Sequence, residues 1–409
     1  MAKTGWRVDT AHDGSRRGEE VPDPGAPMVR RLILSSYISM IAIAVMVNLP
    51  PTCLTSIKGD FSLSDTRGGM LLSALFWGFA LTIILTGPLA DRFGVKPFLI
   101  SASLLQTFGL LTSALSPLFQ VLLFGAFLMG MGSGILEVLI NPLICVLLPE
   151  DRTKAMNFCH AFYSIGAVLT VLLASLFLRM GLLWRHVYLF GIFPSSLFGL
   201  GYLTSPIPEF PASEYKRSFG IGLIRHPIFI LLLLAMLLGG GTELGAAQWI
   251  PAYLEEVFGL SRFGGAFGLV LFSVAMALGR MTMSGLSGRA HPMTVLRLAS
   301  LSCVLLLALS ALLRSGMSVM ISFFLLGFFV SIFWPTVLAR SSEIFPRGGA
   351  TMFSLLSAAG NAGGMIFPAL VGAIADRWSL RAGVGTLSLL PLMLILIFTL
   401  MRHRGNPVS

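Results

Sequence analysis

The sequence predicts an all-α membrane protein, with twelve transmembrane helices arranged as two pseudo-symmetric six-helix bundles. Three observations carry that prediction. The chain of 409 residues is 55% hydrophobic and only 11% charged, with a mean hydropathy of +0.86, whereas a soluble protein of this size needs far more polar surface to stay dissolved. About twelve apolar stretches are long enough, at roughly 1.5 Å per residue, to cross a hydrocarbon layer of roughly 30 Å. The sequence also repeats itself weakly at a shift of about 193 to 200 residues, as two similar bundles would.

Taken in order, residues 1–28 carry Asp9, Asp13, Glu19, Glu20 and Asp23 among Arg and Pro. They lack the basic start and short apolar run of a signal peptide and predict a disordered cytoplasmic tail. The N-terminal bundle follows over 29–204, its apolar stretches starting near Leu32, Gly68, Pro97, Leu118, Asn157 and Trp184. The stretch TSPIPEFPASEYKRSFGIGLIRHP, rich in Pro and charge, is too polar to cross lipid and predicts a cytoplasmic linker over 205–226. The C-terminal bundle occupies 227–402, with stretches starting near Pro227, Phe263, Thr294, Met317, Gly349 and Ala382, and 403–409 form a second cytoplasmic tail.

With both termini in the cytosol, about 20 of the 28 Lys and Arg fall on the inner side, against about 8 in the opposite orientation. The net charge of +10 is then a matter of topology in the cell (inner) membrane: Lys96, Lys154, Lys216 and Arg289 flank helices, and no spacing suggests nucleic-acid reading. Cys53, Cys145, Cys159 and Cys303 sit in apolar segments without paired metal-ligand or disulfide spacing and read as small core residues; the expectation is neither metal nor cofactor, and, separately, a monomer.

Three matches define the repeat. FSLSDTRGGMLLSALFWGFAL from Phe61 parallels FGLSRFGGAFGLVLFSVAMAL from Phe258, each with a Gly-Gly pair at the next helix start. GPLADRFGVKP from Gly87 parallels SGLSGRAHPM from Ser284, where Arg289 matches Arg92 and Gly288 replaces Asp91. Gly134, Pro142 and Glu150 keep the spacing of Gly327, Pro335 and Glu343; in that register Val330 replaces Glu137, and Trp334 replaces Asn141.

Of the 18 acidic residues, only Glu137 and Glu243 lie deep in apolar segments. A carboxyl at mid-membrane costs roughly 3 kcal/mol on insertion scales, so it normally faces a polar cavity and serves ions or substrate. In the fourth helix, Glu137 and Asn141 are four residues apart and share a face, and Gly130, Gly132 and Gly134 admit a neighbouring backbone. The fifth helix adds Asn157, His160 and Tyr163 at three-residue steps, His160 and Tyr163 being read equally as ligand contacts or as interhelical hydrogen-bond partners. In the seventh, GGGTELGAAQWIPAYL joins Glu243 to Gln248 and Trp249 among helix-loosening Gly and Pro, Trp249 being read equally as a cavity contact or as an anchor at the lipid headgroups. Trp334 in the tenth helix is read as facing the cavity, and Asn361 in the eleventh is read equally as a substrate contact or an interhelical one. At the end of the second helix, Asp91 is placed to latch onto a basic residue or a neighbouring helix N-terminus in one state and release it in another; with Arg92 and Arg152 it forms a candidate gate.

GPLADRFGVKP closely resembles the signature loop of the major facilitator superfamily, Gly-x-Leu-Ala-Asp-Arg-x-Gly-x-Lys. LEVLINP, PEDRTKAMNFCHAFYSIGAVL, the seventh-helix stretch and SIFWPTVLARSSEIFPRGGATMFSLLSAAGNAGGMIFPAL together resemble its fucose-galactose-proton symporter branch, from Tyr37 onward. That resemblance implies proton-coupled sugar uptake, with the acidic place of Glu137 taking part in coupling and the polar places of His160 and Tyr163 lining the sugar site. The branch's fucose member also uses an aspartate in the first helix; MVNLPPTCLTS offers only Asn48. The expectation is a non-enzymatic importer of a neutral monosaccharide, driven by protons or sodium through alternating access in the lipid bilayer. The rival readings are a proton antiporter exporting drugs or amphiphiles, with which 20 Met and 31 Phe are compatible, and a signalling scaffold, for which only the tail before Met28 offers room.

Overall fold

Long apolar runs punctuated by Pro, Gly and charge become twelve membrane-length helices in the computed structural model, which describes residues 6–8, 20–22, 26–63, 65–208, 221–287 and 289–404. They are α1 (Pro27–Leu54), α2 (Met70–Phe93), α3 (Lys96–Ala114), α4 (Phe119–Leu147), α5 (Arg152–Arg179), α6 (Trp184–Leu203), α7 (Pro227–Val257), α8 (Phe263–Leu286), α9 (Pro292–Leu312), α10 (Gly316–Ile344), α11 (Gly349–Arg377) and α12 (Leu380–Met401). Starts follow local chemistry. Proline opens α7 and α9, where its missing N–H costs nothing, and the Asp151 side chain caps α5 by accepting from Lys154 N at 2.9 Å.

Within the first bundle, α4 packs on α1, α2, α3 and α5. The close approach depends on glycine: a Cβ at Gly130 would collide with the Leu75 carbonyl of α2, and one at Gly132 with the Ala102 carbonyl of α3. In the second bundle α7 packs against α8, α10, α11 and α12. Between bundles, α5 lies on α8 and α2 on α11.

The helices are not uniform rods. The tenth is interrupted at Ser331 and Ile332, between the segments Gly316–Val330 and Phe333–Ile344. Pro335 explains the break, since it lacks the N–H that would bond the carbonyl of Ser331.

Where the sequence predicts a disordered tail, the described residues include two short strands, β1 (Trp6–Val8) and β2 (Glu20–Pro22), paired antiparallel with Trp6 opposite Pro22. The first helix starts at Pro27. Of the expected linker, 209–220 lie outside the described residues, as do Gly288 and 405–409. Lys96 Nζ donates to the Ser205 carbonyl at 2.9 Å, tying the signature loop to the linker's start. This loop, the linker's start at Ser205, the start of α1 and the end of α12 share one side of the protein, the linker face.

Candidate substrate and proton site

Glu137 lies ten residues before the linker-face end of α4. Leu136 and Val138 beside it are fully buried, while Glu137 keeps 8% exposure. Its carboxyl interacts with Arg280, Trp334 and Glu243, all of the second bundle, so the side chain points across the bundle interface.

Arg280, on α8, organises the site and is absent from the residues the sequence singles out. It is 2% exposed. Nη2 donates to Glu243 Oε1 at 3.1 Å, and Nη1 donates to the His160 carbonyl and to Ser164 Oγ, both at 3.0 Å, across the interface on α5. Nε donates to the Ser331 carbonyl at 3.0 Å, the acceptor left open by Pro335. Four of the guanidinium's five N–H donors are thus engaged, which offsets the desolvation of a buried ion pair.

The polar face of α4 and α5 forms a connected set. Asn141 Nδ2 donates to the Glu137 carbonyl at 2.5 Å, leaving Oδ1 to accept from His160 Nε2 at 2.8 Å. Tyr163, three residues on, interacts with Glu243, Glu137 and Arg280. Asn157 Nδ2 donates to the Thr153 carbonyl at 2.9 Å and to Thr336 Oγ1 at 3.0 Å, bridging to α10. The ring of Trp334 lies over Gly360 of α11. Asn157 Oδ1, Glu243 Oε2 and Ser357 Oγ are buried without a hydrogen-bond partner, so polar groups from α5, α7 and α11 remain uncommitted, while the Trp334 indole N–H faces the Glu137 carboxyl.

Three predicted site residues turn their polar atoms elsewhere. Gln248 Nε2 donates to the Gly364 carbonyl at 3.1 Å, the acceptor that Pro368 cannot satisfy, and Trp249 Nε1 donates to the Pro368 carbonyl at 3.0 Å. Both bind α7 to α11. Asn361 Nδ2 donates to the carbonyl of Ser357 in its own helix at 2.9 Å.

Toward the linker face, Asp91 caps α11 across the interface. Its Oδ1 accepts from Ala350 N at 2.8 Å, and Oδ2 accepts from Thr351 N at 3.0 Å and Thr351 Oγ1 at 2.6 Å. Deeper on the same seam, Ser354 Oγ donates to the Ile83 carbonyl. Arg152 Nη1 donates to the Ser342 carbonyl at 2.5 Å, whereas exposed Arg92 lies over the adjacent Phe93 ring, 5.2 Å from its centre. On the repeat-related side, Ser287 Oγ donates to Asp151 Oδ1 at 2.6 Å. The cap on α5 is therefore the helix's own aspartate, where α11 borrows one from the other bundle.

The family model of the Major Facilitator Superfamily matches residues 33–348. The chain belongs to this superfamily. Members of the Major Facilitator Superfamily are transporters, and the chain is a multi-pass membrane protein. It is similar to a cis,cis-muconate transport protein of Acinetobacter baylyi, 25% identical with 86% of this chain and 88% of that protein covered. It is also similar to a probable nitrate/nitrite transporter, NarK2, of Mycobacterium tuberculosis, 26% identical with 92% and 97% covered. Among solved structures it resembles FucP in the outward conformation, with a TM-score of 0.79 and 18% identity over 92% of this chain and 99% of that one. The proton:xylose symporter XylE gives a TM-score of 0.75 and 16% identity over 93% and 96%.

Proposed function

We propose that this superfamily member is a proton-coupled symporter that imports a neutral monosaccharide, such as a hexose or deoxyhexose, by alternating access. The observation that carries the reading is the charge count at the site: two carboxylates, Glu137 and Glu243, face one guanidinium, Arg280. One proton makes the set neutral, and a neutral set crosses between states at least electrostatic cost in apolar surroundings. Glu137 is the proton carrier, because Glu243 already holds the guanidinium. With four of its five donors engaged, Arg280 has little left for an anionic solute, while the uncommitted Asn157 Oδ1 and Ser357 Oγ suit hydroxyls, which both donate and accept.

The linker face is proposed to be cytoplasmic and the protein monomeric in the cell membrane. The polar contacts between bundles cluster in the linker-face half, which supports reading this conformation as closed to the cytosol. One proton moving down 100 mV supplies about 2.3 kcal/mol, enough for roughly fifty-fold accumulation of an uncharged solute.

The test is uptake into proteoliposomes of labelled fucose, xylose, glucose and muconate, with pH and sodium gradients imposed separately. Sugar influx that acidifies the lumen supports the reading. Muconate uptake alone, or solute movement against the proton flow, overturns it. Glu137→Gln is expected to keep sugar exchange across the membrane and lose accumulation; accumulation retained by that variant removes Glu137 from the role.

A further inference from the structure

We propose that Arg280 sets the number of protons carried per solute: it keeps Glu243 ionised throughout the cycle, so that Glu137 alone exchanges a proton. The inference rests on the proton-symport reading above and deepens it.

The geometry is specific. Arg280 stands 2% exposed, with a direct carboxylate contact to Glu243 of its own bundle and two bonds to α5 of the other, one to a carbonyl and one to a hydroxyl. Glu137 interacts with the guanidinium and with Glu243 and lacks the direct contact that Glu243 has. The other groups facing this cluster are Tyr163, His160, Cys159 and Ser164 from α5 and Ser331 and Trp334 from α10. His160 uses Nε2 on Asn141. The cluster therefore reaches zero net charge with one proton on a carboxylate, and each neutralising substitution changes that number by one.

The substitutions form a series with distinct outcomes. Glu243→Gln leaves Glu137 opposite Arg280, a set already neutral, so sugar should move with a ratio of about zero protons although Glu137 is intact. Arg280→Gln leaves two carboxylates without a counter-charge, and the ratio should rise to about two, with the pH profile of uptake shifted upward by about one unit or more. The double variant Glu243→Gln/Arg280→Gln leaves Glu137 alone and should return the ratio to about one, even though the bonds to α5 are lost.

The measurement is proton influx, read by a lumenal pH dye, against influx of labelled fucose, xylose or glucose in proteoliposomes. Failure of the wild type to couple any of these sugars to protons overturns the symport reading and this inference together. A wild type that couples while Glu243→Gln still carries one proton per sugar, or a double variant that differs from wild type in ratio, overturns the inference alone. Should Arg280→Gln fail to fold, Glu243→Gln, which keeps the arginine, still decides it, because a merely structural arginine predicts no integer change in the ratio.

Discussion

At the scale of single residues, charge is placed where backbone groups need it. The Asp91 carboxylate accepts from two backbone N–H groups and a hydroxyl at the N-terminus of α11. A side chain capping a helix contributes about 1 kcal/mol, somewhat more when ionised, because it meets the positive end of the dipole. Asp91→Ala should therefore shift the balance between states away from the linker-face-closed one by about five-fold or more. The native cysteines report that shift. Cys145, buried at the interface, accepts from Ser342 Oγ of the other bundle at 3.5 Å, whereas buried Cys303 sits on α9, within the second bundle. Maleimide labelling of Cys145 should speed up in Asp91→Ala by a similar factor while Cys303 stays unchanged. Equal rates at Cys145 would exclude the latch.

At the scale of helices, prolines open carbonyls, and side chains from the neighbouring helix close them. Gln248 does this for Gly364, and Gln248→Ala should cost about 0.6 to 2 kcal/mol, the range of interhelical hydrogen bonds in membranes, read as a lower melting temperature with the proton-to-solute ratio unchanged. Pro335→Ala should straighten α10, restore the bond to the Ser331 carbonyl and displace Arg280 Nε from it, so that turnover falls without loss of stability. Turnover kept at the wild-type level would show that the break is passive. The helices themselves were legible from apolar length, and their close packing from Gly130 to Gly134. Part of the site was legible too. At about 100° per residue, Gln248 and Trp249 stand about 140° and 120° away from Glu243 on α7, so the periodicity already separates them from its face. Arg280 was not legible as a site residue: in MALGRMTMSGL it lies six residues inside the linker-face end of α8, where an arginine resembles a snorkelling topology anchor. The distinguishing signal was Arg289, which already fills the anchor's place in the loop.

At the scale of the whole molecule, the two bundles were readable because the repeat preserves Pro and Gly spacing, while the interface between them was not, since pairs such as Asn157 with Thr336 and Arg280 with His160 are separated by 179 and 120 residues. Repeat symmetry also hides how unlike the seams are. Along α2 and α11 the closure consists of Asp91 and Ser354, with no described ionic link to the central carboxylates. Along α5 and α8 the closure includes the guanidinium that holds Glu243. The first seam can therefore govern only how often the protein swings, and the second governs whether it is permitted to. Damage to the former should yield a restless but still obedient carrier, and damage to the latter one that miscounts its fare.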